Sequence, residues 1–343
     1  MDQPDRPGRD NPRHLLQIRG METGSIRALL RRASALSGRA GRRVDESLNE
    51  KTVATLFLEN STRTRTSFQL AATRLGAEAV DLSGSGLSVS KGETLADTAR
   101  TIEAMGVDAI VVRASQAGAP HVIADAVSCG VLNAGDGRHE HPTQGLLDAL
   151  ALAQARGLAG EEHGSFDFGG LTYAIVGDIA ASRVARSDIA IMSALGAQVV
   201  LVGPLGMVPG GLADLGDGDS VRIERDFDAA LEQADAVQML RVQFERHGGR
   251  GISSKREYRA GYALTAERAR RMKDGAVVMH PGPMNRGLEI DDPVADGWVA
   301  DGNGTGDGGS GGDGLPRSII LEQVSAGLPV RMAAIERAVG KSV

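Results

Sequence analysis

From Thr52 onwards the chain alternates between apolar runs of β-strand length and longer segments with the apolar spacing of an amphipathic helix. This alternation predicts an α/β fold, because repeated strand and helix segments favour parallel sheets that helices cover on both faces. The strand-like runs form two series, 52–58, 78–82, 108–113 and 131–134, then 172–176, 198–202, 221–223, 236–240 and 276–279.

Two such series in 343 residues predict two domains, each a doubly wound, mainly parallel sheet flanked by helices. We assign the domains to 14–150 and 151–300, with the junction along a helix predicted over 141–156. A helical region is also predicted over 14–36, with an interruption at 20–24. A last helix, over 318–339, is expected to pack back onto the first domain.

Two segments are predicted to be flexible, because their composition offers no core-forming residues. Residues 1–13 are rich in Pro, Asp and Arg, and residues 302–314 are rich in Gly and Asp. Since aromatic residues make up only 3% of the chain, both cores should be built from Val, Leu, Ile and Ala.

The charge and cysteine content exclude several classes of protein. A net charge of −6 without a basic stripe argues against a nucleic-acid partner. No apolar run is long enough to span a bilayer, and the first residues lack the apolar core of a signal peptide. A single cysteine, Cys129, excludes an internal disulfide and fits the reducing cytoplasm; we expect it to be a small buried apolar residue.

A phosphate-binding loop is predicted where the first strand meets a helix. Ser61 is a good N-cap residue, and the first-turn N–H groups of the helix carry partial positive charge. Hydroxyl and guanidinium groups surround this helix start, as a phosphate requires. They come from Ser61, Thr62, Arg63, Thr64 and Arg65. The simpler alternative is an N-capped helix with solvated arginines.

Two further groups follow later strands of the first series. Arg113 ends a strand, at the sheet edge where ligands of α/β proteins bind. His141 and Gln144 lie three residues apart at the start of the junction helix, and both can donate to a carbonyl oxygen. Taken alone, Arg113 could be an ion-paired surface residue and His141 a capping residue.

The second series carries cations at corresponding positions. Arg183 lies near a helix start, and the segment 177–187 lacks the G-x-G-x-x-G pattern, so a nicotinamide cofactor is disfavoured. Arg241, Gln243 and Arg246 follow another strand. Because a guanidinium group matches a carboxylate in two hydrogen bonds, this half is predicted to bind a carboxylate. Lys91, on the Gly- and Ser-rich loop 83–94, could close over an anion.

No metal site is predicted, since the seven histidines are scattered and neither H-E-x-x-H nor C-x-x-C is present. Five short motifs together resemble the transcarbamoylase family. They are Ser-Thr-Arg-Thr-Arg at 61–65, Lys-Gly-Glu-Thr at 91–94, His-Pro-Thr-Gln at 141–144, Arg-Val-Gln at 241–243 and His-Pro-Gly-Pro at 280–283. Their order and spacing fit the family across about 14–339.

The resemblance implies transfer of a carbamoyl group from carbamoyl phosphate to L-aspartate, a step of pyrimidine biosynthesis, without a metal or organic cofactor. It implies a homotrimer with shared active sites, in which Lys91 comes from the neighbouring chain, and which regulatory chains or dihydroorotase could join. Carbamoyl phosphate would bind in the first domain, and the implied ligands are Ser61, Thr62, Arg63, Thr64, Arg113, His141, Gln144, Gly282 and Pro283.

Aspartate would meet Lys91, Arg183, Arg241 and Gln243. Arg63, Thr64, Arg113 and His141 would act in catalysis, the last three on the carbonyl oxygen, and the departing phosphate could take the amine proton. Glu59 is expected to hold a closed state by pairing with Arg183 and Arg246. The chain departs from the family in Gln69, where Glu is common, and in the Gly-rich insertion.

Three alternatives differ in class or substrate. An ornithine transcarbamoylase would share residues 61–64, but its branch typically has His-Cys-Leu-Pro where this chain has His280-Pro-Gly-Pro. The added Lys91 and Arg241 suit a second carboxylate, which favours aspartate. A non-catalytic homologue should have lost ligands that are all present here, and a nucleotide-binding regulator should carry a glycine fingerprint.

Overall fold

The computed structural model describes residues 13–38, 47–82, 92–160, 164–242, 254–297 and 314–341. The chain divides into two compact units. Unit 1 comprises 1–150, 159–165 and 325–343, and unit 2 comprises 151–158 and 166–324. Two helices, α5 and α11 as numbered below, therefore contribute residues to both units.

Unit 1 is built on a parallel four-stranded sheet in the order β2-β1-β3-β4. The strands are β1 (Thr52–Phe57), β2 (Glu78–Asp81), β3 (Ala109–Ala114) and β4 (Gly130–Asp136). The helices that begin in this part of the chain are α1 (Thr23–Ser37), α2 (Thr62–Arg74), α3 (Leu95–Ala104), α4 (Ala119–Ala124) and α5 (Pro142–Ala155).

Unit 2 is built on a parallel six-stranded sheet in the order β10-β9-β8-β5-β6-β7. The strands are β5 (Thr172–Val176), β6 (Gln198–Val202), β7 (Val221–Glu224), β8 (Ala236–Met239), β9 (Val277–Met279) and β10 (Arg317–Ser318). The helices are α6 (Arg183–Ala194), α7 (Phe227–Gln233), α8 (Lys255–Tyr262), α9 (Ala266–Ala269), α10 (Asp292–Ala295) and α11 (Ile320–Ala338). Short 3₁₀ turns span Gly210–Leu215 and Gly218–Ser220.

These two parallel sheets confirm the predicted fold class. Aliphatic residues dominate both cores, as the scarcity of aromatic residues predicts; Ile110, Val112 and Val131 pack in one, and Val176, Val200 and Val237 pack in the other. Since parallel strands are covered on both faces, β1 and β3 are buried along almost their whole length. None of the described helices combines the length and apolar character that crossing a membrane requires.

One local prediction is wrong, and one helix starts slightly later than predicted. Residues 14–19 are not helical, because Leu15 forms a bridge beside β4: its N–H donates to Val131 O and its carbonyl accepts from Asn133 N, both at 2.9 Å. The helix in this region begins only at Thr23. Likewise Ser318 belongs to β10, which pairs with β9, and the last helix starts at Ile320. In both places, hydrogen bonds to a neighbouring strand take the backbone groups that a helix would use.

Candidate active site

The strand register of unit 1 brings three of the predicted segments to one edge of the sheet. Phe57 at the end of β1 pairs with Arg113 of β3, and Leu58 N donates to Arg113 O at 2.8 Å. The adjacent strand β4 ends at Asp136, five residues before His141. Because the strands are parallel, the segments after β1, β3 and β4 all leave at their carboxyl ends, where α/β proteins bind ligands.

The phosphate loop begins α2 as predicted, but one predicted hydrogen bond is not formed. Ser61 occupies the N-cap position in an extended conformation, and its hydroxyl accepts no hydrogen bond from the first turn. Thr64 is buried, whereas Thr62 and Arg63 are exposed. This helix start offers an anion hydrogen-bond donors from its N–H groups and the hydroxyls. Its partial positive charge also favours an anion.

The sequence places Arg65 among the groups that surround this helix start, but in the structure its side chain pairs with another strand. Its guanidinium lies 3.7 Å from the carboxylate of Asp81, at the end of β2. The guanidinium of Arg65 is therefore engaged with a carboxylate of the same sheet.

Arg113 is held in place by two interactions on the same sheet edge. Its Nη1 donates to the carbonyl of Ala134 at 3.2 Å, and its Nη2 lies 3.3 Å from Glu59 Oε1. The side chain is only 12% exposed. A guanidinium fixed by a backbone carbonyl and a carboxylate has few orientations, so Arg113 is suited to stabilising negative charge at a defined position.

His141 and Gln144 lie at the start of α5 and are both buried. Gln144 Nε2 donates to Asp148 Oδ1 at 3.0 Å, one helical turn further along. Pro142 occupies the first helical position, where a missing N–H costs nothing. The hydrogen bond to Asp148 fixes the carboxamide of Gln144 at the helix start.

Arg331, which none of the sequence motifs includes, lies on α11 and belongs to unit 1. Its Nη1 donates to Ser67 Oγ of α2 at 2.9 Å, and its guanidinium carbon lies 5.4 Å from the ring centroid of Phe68. The pKa of Arg331 is lowered to about 10, chiefly by burial and also by repulsion from Arg63, against the opposing effect of Asp148. A buried cation this close to the phosphate loop adds positive potential there.

The sequence does contain a feature that indicates the buried position of Arg331, namely the glycine four residues before it. Gly327 leaves room for the guanidinium: a Cβ at this residue would lie 2.5 Å from Arg331 Nη1 and 3.4 Å from Leu147 Cδ2. Since residues i and i+4 lie on the same helix face, a glycine four residues before an arginine makes space for the side chain to fold back.

In unit 2, the predicted carboxylate ligands start a helix and follow a strand. Arg183 is the first residue of α6 and is buried, and the hydroxyl of the N-cap residue Ser182 accepts from Ala185 N. Arg241 follows β8 and is half-buried. β8 and β5 are neighbours in the parallel sheet, so both segments lie at the same edge.

The turn after β9 carries Gly282 and Pro283, and the side chain of His280 organises it. The N–H of Gly282 donates to His280 Nδ1 at 2.8 Å, which leaves the ring proton on Nε2, 3.3 Å from Glu289 Oε1. The N–H of His280 in turn donates to Gln323 Oε1 at 2.8 Å. Gln323 Nε2 donates to Gln238 Oε1 at 3.3 Å, so buried amides connect this turn to β8.

Some predicted site residues lie outside the described part of the chain. They are Lys91, Gln243 and Arg246. The segments predicted to be flexible also fall largely outside the described residues, at 1–12 and 302–313.

Family models match both halves of the chain. The carbamoyl-phosphate-binding domain of aspartate/ornithine carbamoyltransferases matches residues 13–154, and the aspartate/ornithine-binding domain matches residues 169–300. The chain belongs to the aspartate/ornithine carbamoyltransferase family. This membership confirms the resemblance that the five motifs predict.

Two similar proteins within this family belong to its aspartate branch. The aspartate carbamoyltransferase catalytic subunit of Myxococcus xanthus is 50% identical over 325 residues, which cover 94% of this chain and 98% of that protein. The corresponding subunit of Rhodospirillum rubrum is 45% identical over 326 residues, covering 94% of this chain and 93% of that protein.

Solved structures of both branches of the family share the fold. Aspartate transcarbamoylase from Trypanosoma cruzi, in complex with carbamoyl phosphate and aspartate, is 26% identical, with a TM-score of 0.75 and coverage of 95% of this chain and 96% of that chain. Ornithine carbamoyltransferase from Thermus thermophilus is 25% identical, with a TM-score of 0.76 and coverage of 96% and 99%. The backbone similarity alone therefore does not distinguish aspartate from ornithine.

Proposed function

We propose that this chain is an aspartate carbamoyltransferase catalytic chain, which converts carbamoyl phosphate and L-aspartate into N-carbamoyl-L-aspartate and phosphate. The observation that carries the proposal is the arrangement at one edge of the unit 1 sheet, where the α2 start follows β1 and Arg113 pairs with Phe57. Relatives at 50% and 44% identity that are aspartate carbamoyltransferase catalytic subunits support aspartate as the acceptor.

The phosphate group binds at the start of α2. Backbone N–H groups, the hydroxyls of Ser61, Thr62 and Thr64 and the guanidinium of Arg63 supply the donors. The buried charge of Arg331 raises the positive potential at this helix start, which favours the dianion that leaves in the reaction.

The carbonyl group of carbamoyl phosphate is polarised by Thr64, Arg113 and His141. When the amine of aspartate attacks the carbonyl carbon, negative charge grows on the carbonyl oxygen, and fixed donors stabilise it without reorganising. The restraints on Arg113 from Ala134 and Glu59 support this role. Gln144, with the backbone carbonyls of Gly282 and Pro283, orients the carbamoyl group.

Aspartate binds through its two carboxylates to Arg183, Arg241, Gln243 and Lys91. Two guanidinium forks suit a dicarboxylate, whereas the amine of an ornithine side chain would be repelled by them. The amine of aspartate attacks in its neutral form, the C–O bond to phosphate breaks, and the departing phosphate takes the amine proton. Much of the rate enhancement comes from holding two mutually repelling anions in reacting geometry.

The direct test measures product formation from carbamoyl phosphate with aspartate and with ornithine, side by side, on purified protein. Carbamoyl-aspartate formed from aspartate alone is the expected result. Citrulline formed from ornithine would overturn the assignment of Arg241 and Gln243 to a carboxylate. An Arg63→Ala variant, which should lose turnover with either acceptor, controls for a contaminating enzyme.

We also propose that the chain works in the cytoplasm as a homotrimer, in which Lys91 of one chain completes the site of its neighbour. The family resemblance of the Lys-Gly-Glu-Thr motif supports this arrangement. Regulatory chains or dihydroorotase are the further partners that the resemblance implies. If Lys91 acts across an interface, mixing inactive Lys91→Ala chains with inactive Arg63→Ala chains restores part of the activity. Verified mixed trimers without activity would contradict the shared site.

A further inference from the structure

Two imidazoles and a buried carboxylate converge at the carboxyl edge of the unit 1 sheet, outside the set of residues assigned to the substrates. The three residues are His121 in α4, Asp136 at the end of β4 and His139 in the turn that follows β4. One ligand atom from each lies within 4.8 Å of the others. We propose that this cluster, the His-Asp-His site, binds a late first-row divalent metal ion such as Zn²⁺.

The distance between the ligand atoms of Asp136 and His139 already suits a metal ion. His139 Nδ1 lies 3.1 Å from Asp136 Oδ2. Two atoms that each bind Zn²⁺ at about 2.0–2.1 Å, at a tetrahedral angle, are roughly 3.3 Å apart. An ion can therefore replace the hydrogen bond between these atoms with little movement of either residue.

His121 provides the third ligand from a neighbouring segment. Its ring centroid lies 5.5 Å from that of His139, and the two planes are inclined by 66°. Both histidines are half-buried, so solvent reaches them and a water molecule can complete a four-coordinate site. Two imidazole nitrogens and one carboxylate oxygen are donors that Zn²⁺, Co²⁺ and Ni²⁺ prefer, whereas Mg²⁺ and Ca²⁺ prefer oxygen alone.

The backbone around the cluster is held in place before any ion arrives. The N–H of Gly118, at the N-cap of α4, donates to Asp136 Oδ2 at 2.7 Å, and Gly137 N donates to Ala114 O at 2.9 Å. A Cβ on Gly137, whose φ is +49°, would lie 2.7 Å from the backbone nitrogen of Ala117. The segments that carry the ligands are thus packed backbone against backbone, which lowers the entropic cost of assembling the site.

Asp136 also receives the support that ligating carboxylates usually have from neighbouring donors. Its Oδ1 accepts from Asn133 Nδ2 at 2.8 Å and from Glu140 N at 3.2 Å. These bonds fix the carboxylate plane, and both of its oxygens lie within 3.2 Å of His139 Nδ1. Since His141 follows Glu140 directly, an ion here would stiffen the loop that leads to the predicted catalytic histidine.

The test uses the full chain without an affinity tag, freed of metal by a chelator and then titrated with Co²⁺. The expected result is one Co²⁺ per chain, with the visible absorption of a four- or five-coordinate ion, and its displacement by Zn²⁺. His121→Gln and His139→Asn should each weaken binding by roughly tenfold or more. His163→Gln, which removes an imidazole that is not one of the three proposed ligands, should bind as the native chain does.

Thermal unfolding distinguishes metal binding from a purely structural role of the cluster. Asn at position 139 can still donate to Asp136, so His139→Asn should unfold near the native temperature in chelator and lose only the stabilisation that Zn²⁺ gives the native chain. If His139→Asn fails to fold, His121→Gln decides by the same readout. A native chain that binds no stoichiometric Co²⁺, or binding that both variants retain, overturns the proposal.

Discussion

Arg331 on α11 donates a hydrogen bond to Ser67 on α2 at 2.9 Å, which joins the last helix to the helix that begins at the phosphate loop. The guanidinium also faces the ring of Phe68, one residue further along α2. Both contacts lie within unit 1, although the two helices are far apart in sequence. A cation that is buried near Arg63 and Arg113 is costly to keep, and the cost is offset when an anion binds.

Replacing Arg331 with Met should therefore separate binding from stability. The lowered pKa of Arg331, about 10, means that the ionised side chain is less favourable in the folded than in the unfolded chain at every pH below 10. We expect Arg331→Met to leave the melting temperature of the ligand-free protein unchanged or raised. The KM for carbamoyl phosphate should rise about tenfold, equivalent to roughly 1.4 kcal/mol.

A matched control for this prediction lies on the same helix. Burial also lowers the pKa of Arg337, whereas the hydrogen bond to Ser67 and the contact with the Phe68 ring are made by Arg331. Arg337→Met should leave the KM for carbamoyl phosphate near the native value. An equal rise of KM in both variants would show that Arg331 acts only through the stability of α11.

Gly327→Ala tests the same contact without removing a charge. Alanine in a helix interior ordinarily stabilises by about 0.5–1 kcal/mol relative to glycine. Here its Cβ would lie 2.5 Å from Arg331 Nη1, so the guanidinium must move away from Ser67. We expect weaker binding of carbamoyl phosphate in a chain that is not less stable, measured by steady-state kinetics and thermal unfolding. A native KM in this variant would contradict the positioning role of Arg331.

Glu59→Gln distinguishes two roles of this carboxylate. The sequence predicts that Glu59 pairs with Arg183 and Arg246, whereas in unit 1 its Oε1 lies 3.3 Å from Arg113 Nη2. Loosening Arg113 should lower kcat and raise the KM for carbamoyl phosphate, together by roughly tenfold or more, since a hydrogen bond to a charged group contributes about 1.5–3 kcal/mol. A change confined to the KM for aspartate would favour the pairing with Arg183 and Arg246. Glu78→Gln, at an exposed position of β2, serves as the control.

Cys129 should be almost inert towards thiol reagents at neutral pH. The pKa of its thiol is raised to about 12, chiefly by burial and also by the carboxylate of Glu103, which accepts from Cys129 N at 2.8 Å. The reactive thiolate is therefore scarce in the folded protein. We expect a disulfide reagent to modify Cys129 slowly in the native chain and fast after unfolding in guanidinium chloride. Rapid modification of the folded chain would contradict this burial.

The sequence anticipated the fold class and most strands because those features are written in local patterns. The runs at 172–176 and 198–202 coincide with β5 and β6, since continuous apolar runs of this length suit fully buried parallel strands. The helical prediction for 14–19 failed for the opposite reason. Its apolar residues fit a helix, but a partner distant in sequence, β4, provides better hydrogen bonds for Leu15.

By itself the sequence determined which chemical groups are available: the Ser-Thr-Arg-Thr-Arg motif at a helix start, the arginines after strands and the order of motifs that marks the family. Only the tertiary structure decided which groups meet. It pairs Arg65 with Asp81, places Glu59 beside Arg113, turns Arg331 towards Ser67 and gathers His121, Asp136 and His139. The physical reason is that residue type and periodicity fix local conformation, whereas contacts between distant segments depend on sheet order, register and packing.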